Sequence, residues 1–135
     1  MTPLTIRMLE HAKQAMQSAY APYSRYPVGA CIRTEHDHLF SGTNVENVSY
    51  SLSLCAETAA IAAMVTAGYR KIYELVVIGP PPELCTPCGA CRQRLNEFSP
   101  EGTLIHLCDL SGVQKTLQLS ELLPYAFGPK HLCNI

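Results

Sequence analysis

Cys55 and Glu57 stand two residues apart in the run LCAETAAI, residues 54–61, and three more thiols follow at equal spacing, Cys85, Cys88 and Cys91. Thiolates are zinc ligands, and a carboxylate placed beside a metal-activated water can act as a general acid–base group. Two C-x-x-C pairs overlap here, and helix geometry favours Cys88 with Cys91. If Thr86 caps a helix and Pro87 opens it, those two cysteines share one face near its N-terminus, while Cys85 precedes the cap. The partial positive charge of a helix start also favours thiolates. A catalytic zinc takes three protein ligands and keeps one position for water, and Cys55, at the start of another helix, is the best third ligand. On a regular helix, residues two apart point about 200° away from each other. Cys55 and Glu57 therefore serve one site only if Cys55 lies at the irregular end.

A structural zinc would take a fourth ligand, and Cys85 or one of His11, His36, His38, His106 and His131 could serve. None of these histidines stands at ligand spacing from the cysteines. Such a site would make the chain a zinc-stabilised binding module rather than a catalyst. Cys31, Cys108 and Cys133, isolated in apolar surroundings, are expected in the core or tail, and Cys85 is a spare thiol beside the site.

The elements that must position these groups follow from local pattern. Thr2-Pro3 reads as a helix start, and Met8, Ala12, Ala15, Met16 and Ala19 form one apolar face to about Tyr20. Strands are expected at 28–32 and 39–45, forming a hairpin, and a second helix at 56–67 stopped by Gly68. Residues 73–80 read as a central strand, 88–98 as the third helix, 104–108 and 115–119 as two more strands, and Ser120 as the cap of a last short helix. The order α-β-β-α-β-α-β-β-α predicts an α/β fold, a three-layer α/β/α sandwich on a mixed five-stranded sheet, with residues 1–135 as a single domain.

Composition narrows the partners. Ten Lys and Arg stand against eleven acids with no basic cluster, so a nucleic-acid polymer is not the expected partner. No window approaches the roughly 20 apolar residues of a membrane span. The N-terminus lacks the apolar stretch of a signal peptide, and seven cysteines are an odd count, so a cytoplasmic location with reduced thiols is expected.

Cys55-Ala-Glu57 followed by Pro87-Cys88-Gly-Ala-Cys91 resembles the signature of the zinc-dependent nucleoside and nucleobase deaminases, with cysteine in the place of their histidine. The segments PYSRYPVGA (22–30), GTNVENVSYS (42–51), PCGACRQ (87–93) and LLPYAFGP (122–129) make the chain similar to the small homotetrameric cytidine deaminases. The resemblance implies one zinc per subunit on Cys55, Cys88 and Cys91. It also implies that Glu57 moves protons from water to N3 and to the leaving amino group, giving uridine or 2′-deoxyuridine and ammonia in pyrimidine salvage. Backbone groups of Ala56 and Thr86 would orient the base, and Tyr26 would stack on it where relatives usually carry phenylalanine. Asn44 and Glu46 would hold the ribose 3′-hydroxyl. Tyr50 and Phe127 would reach the site across subunit boundaries, making a homotetramer with shared active sites. Many relatives carry arginine where this chain has Thr58, and Arg92 is a candidate replacement for its charge. A deaminase of modified cytosines, such as N4-substituted cytidine or blasticidin S, shares the zinc motifs.

Overall fold

Thr2 accepts a hydrogen bond from the amide of Thr5, and Pro3 opens the first helix, α1 (Pro3–Gln17), in a computed structural model whose described residues are 1–132. Cys133 lies outside them. The buried positions of α1 are Thr5, Met8, Leu9 and Ala12, one helical stripe. The helix ends three residues short of Tyr20 because that residue's backbone is engaged elsewhere: its amide donates to Asn44 at 3.1 Å and its carbonyl accepts from Glu46 at 2.9 Å. The same pairing ends the second strand early, since Val45 bridges both Tyr20 and Leu54.

Five strands form one mixed sheet: β1 (Gly29–Arg33), β2 (Leu39–Thr43), β3 (Glu74–Ile78), β4 (Leu104–Asp109) and β5 (Gly112–Gln118), in the order β2-β1-β3-β4-β5. Only β3 and β4 run parallel, and that crossover is made by α3 (Gly89–Phe98), while α2 (Ala56–Thr66) links β2 to β3. Alternate residues enter two cores. Ala30, Ile32, Leu75, Val77, Ile105 and Leu107 face α2 and α3, and Cys31, Val76, Ile78 and Cys108 face α1. Cys31 and Cys108 are therefore core thiols, their pKa values both pushed up to about 12, first by burial. The expected three-layer architecture is the observed one.

Three local expectations fail. Helix α3 starts at Gly89 with Cys88 as its N-cap, so Thr86 and Pro87 precede the cap; the buried Pro87 ring and its carbonyl, which accepts from Arg92 Nε at 2.7 Å, belong to the loop. Ser120 does not cap α4 (Leu119–Leu122); Gln118 stands at the cap position, its amide donating to Glu121 Oε1 at 3.3 Å. Strand β5 begins at Gly112, whose φ of 129° makes the tight turn from β4.

Two glycines set how closely the helices approach the sheet. A Cβ on Gly29 would lie 1.9 Å from the carbonyl oxygen of Ala12, and one on Gly42 would lie 2.5 Å from the amide of Ala60 and 2.6 Å from the carbonyl oxygen of Ala56. The second contact seats the first turn of α2 directly against β2.

Candidate active site

Cys55 and Cys88 are the N-caps of α2 and α3, both extended, with φ/ψ of −79°/156° and −66°/168°. Neither side chain makes a cap hydrogen bond, which leaves both sulfurs free to point at each other. They are 3.9 Å apart, and with Cys91, the third residue of α3, all three sulfurs lie within 4.8 Å of one another. Tetrahedral zinc with bonds of about 2.3 Å separates its sulfurs by about 3.8 Å, so this donor set fits the ion. It is the only such cluster of potential ligands among the described residues. His106 instead bridges Glu74 at 2.7 Å and Thr116 at 2.8 Å on the α1 side of the sheet, while Glu74 also pairs with Arg33 at 2.7 Å.

Cys55 and Cys91 shift each other in opposite directions. The Cys55 thiol is pulled down because Cys91 hydrogen-bonds its thiolate, and Cys91 is correspondingly pushed up, by that bond first and then by burial. Thr58, the third residue of α2, places Oγ1 3.6 Å from Cys91 Sγ. Arg92 does not take up the charge expected of it: Nε binds the carbonyl of Pro87 at 2.7 Å and Nη1 that of Leu122 at 3.0 Å. Its hydrogen bonds tie the loop before α3 to α4, and none reaches a thiol.

Glu57 is only 4% exposed, and burial pushes its carboxyl above the usual carboxylate range, partly offset by its own amide and by Cys91. As the second residue of α2 it opens onto the same cavity, of about 410 Å³, as Cys55 and Cys88. Tyr26, Asn44, Glu46, Ala56 and Thr86 line that cavity too. Cys85, expected beside the site, is part of the wall, which Ser24, Val28, Ser53 and Leu54 complete; these four come from separate segments without a spacing signature, and the sequence did not point to them. Cys85 is pushed up to about 11, first by burial and then by Glu57. Its Cβ and the Tyr26 hydroxyl both crowd Gly79, where a Cβ would meet them at 2.7 and 3.3 Å. A larger hollow, about 750 Å³, runs between the end of α3 and the C-terminal segment and holds none of the three thiols.

Asn44 and Glu46 are committed to the loop before β1. Asn44 Nδ2 donates to the Tyr26 carbonyl at 2.8 Å and Oδ1 accepts from the Val28 amide at 2.9 Å. Glu46 Oε1 accepts from the amides of Tyr23 and Ser24 at 2.9 and 3.2 Å, and Oε2 accepts from the Ser24 hydroxyl. Tyr50, 74% exposed, lies beside this loop, its ring 6.0 Å from that of Tyr23. Phe127 is not brought to the cavity of its own chain; its ring stacks on His131 at 5.1 Å, and its carbonyl accepts from Gln93 at 2.8 Å.

Thiolate ligands at two helix starts, with a buried carboxylate beside them at the end of a mixed sheet, define a zinc-dependent deaminase fold and site. The family model described as "Cytidine and deoxycytidylate deaminase zinc-binding region" matches residues 4–107. The chain belongs to that family. It is 38% identical over 120 residues to a cytidine deaminase of Halalkalibacterium halodurans, covering 89% of this chain and 91% of the relative. Among solved structures, cytidine deaminase from Burkholderia pseudomallei superposes with a TM-score of 0.81 at 36% identity, covering 94% of this chain and all (100%) of the other. That from Mycobacterium tuberculosis gives 0.79 at 37% identity, covering 91% and 96%.

Proposed function

We propose that this protein hydrolytically deaminates cytidine and 2′-deoxycytidine, releasing ammonia and the corresponding uridines. The observation that carries the reading is a buried carboxylate, Glu57, opening onto one cavity with two of three clustered thiols. Zinc held by Cys55, Cys88 and Cys91 would supply Lewis-acid activation of a water molecule near neutral pH. Glu57 takes the proton of the attacking water, delivers it to N3 as C4 is attacked, and passes a second to the departing amino group. Backbone groups of Ala56 and Thr86 orient the base, and the Tyr26 ring stacks on it. Asn44 and Glu46, already lining the cavity, meet the ribose 3′-hydroxyl.

The reading extends to assembly as a homotetramer of single-domain chains in the cytoplasm, serving pyrimidine salvage. Val48, Tyr50 and Leu52 are 77%, 74% and 65% exposed on the segment between Glu46 and Ser53, two residues that line the cavity, and a second copy would cover them. Phe127, turned away from its own cavity, would complete a neighbour's. Six described cysteines are free, which suits a reducing compartment. No described helix is long and apolar enough to cross a membrane.

The test is ammonia release by purified protein from cytidine, deoxycytidine, cytosine, CMP and blasticidin S. The first two are expected to react. Glu57→Gln is expected to lower turnover at least about a thousandfold while zinc content stays unchanged; turnover that survives in this variant would sink the assigned role.

A further inference from the structure

We propose that Ser24 is a positioning residue for nucleoside binding, aiming the Glu46 carboxylate at the sugar and fixing the backbone that carries Tyr26. This rests on the functional reading above. An ionised carboxylate has about four acceptor sites. Two on Oε1 are filled by the Tyr23 and Ser24 amides, and one on Oε2 by the Ser24 hydroxyl. The one acceptor site left is on Oε2, in a carboxylate that lines the cavity. Ser24 thus decides which oxygen, and which lone pair, is offered to a ligand.

The same hydroxyl oxygen accepts from the Tyr26 amide at 3.1 Å. Arg25, between them, takes the left-handed conformation with φ of 57°, turning the chain back so that residues 24 and 26 meet. The Tyr26 carbonyl is held from the other side by Asn44 at 2.8 Å. One serine therefore links the group that reads the sugar to the ring that reads the base. Its influence on Glu46 is consistent with the carboxyl being held below its usual range, first by the Ser24 hydroxyl. Without that hydroxyl the carboxylate can tip about its Oε1 bonds, and the sugar must order it on binding.

The test compares cytidine with 3′-deoxycytidine in wild-type protein, Ser24→Ala and Ser24→Gly. Wild-type KM is expected to be about tenfold or more higher for the 3′-deoxy compound, whose missing hydroxyl leaves the last acceptor site of Glu46 unfilled. In both variants that ratio is expected to fall to within about threefold, with kcat for cytidine changed by less than about threefold, the pattern of lost uniform binding. Zinc content and melting temperature confirm that the variants are folded. A ratio that survives in either variant overturns the inference, because a merely structural role raises both KM values together. Wild-type protein that releases no ammonia from cytidine overturns the functional reading and this inference with it, whereas wild-type turnover with an unaltered ratio in the variants overturns the inference alone.

Discussion

Thr58 occupies the position from which a side chain on α2 can touch a ligand on α3. Three thiolates on a divalent ion leave a net negative centre, and hydrogen bonds to sulfur are the protein's means of moderating it. Threonine brings one donor and no charge, so the contact with Cys91 at 3.6 Å and the two helix starts would share that task. Thr58→Val keeps the shape and removes the donor. It is expected to weaken zinc retention by roughly tenfold in competition with a chelator, with Thr58→Ser restoring it; equal retention in all three proteins would show the contact to be idle. The resemblance singles out residue 58 as a neighbour of the thiols, but not the partner it takes. Cys88 and Cys91 announce themselves by spacing, but nothing in the letters says which thiol residue 58 will face, and Arg92 was expected to help only because it is next to Cys91. Its guanidinium is drawn instead to two carbonyls that exist only once the loop before α3 has folded.

At the scale of elements, the position of Glu57 depends on how tightly α2 lies on β2. Gly42 faces Ala56, Ala59 and Ala60, and the nearest atoms to an added Cβ include helix backbone, which cannot rotate away. Gly42→Ala is therefore expected to destabilise the fold by about 3 kcal/mol and to lower activity by displacing the first turn of α2; chemical denaturation and turnover on the same preparation would check both. Unchanged stability would mean the helix can slide. Strand and helix identities were legible because runs such as ELVVI and AETAAIAAM have one reading each. Ends were harder. Thr2-Pro3 and Thr86-Pro87 carry the same start signal, yet only the first is a helix start. In the second, Cys88 takes the cap position with its sulfur turned to the thiol cluster, a choice made by tertiary structure. The shortening of α1 and β2 has a like cause, the three-way meeting of Tyr20, Val45 and Leu54, and so does the cavity wall, assembled from residues far apart in the chain.

For the molecule as a whole, the sheet supplies a rigid edge, and the two helices that begin there are joined through sulfur. Chelating the zinc is expected to lower the melting temperature by roughly 10–20 °C, as loss of a ligand held at about a thousand times its dissociation constant would do; an unchanged melting curve after verified metal removal would show that the trio contributes nothing to the fold. Hydrogen exchange should localise the effect to amides at Ala56–Thr58 and Gly89–Cys91. Most helices satisfy their first amides with an oxygen on the capping residue. Here two helices have cysteine at that position, and neither uses it to cap. Metal occupancy and the stability of the first turns of α2 and α3 are then expected to be coupled: an ion held by Cys55, Cys88 and Cys91 would act as a clasp between two helix starts, so that zinc supply would govern how firmly these turns are held as well as how much of the protein is active.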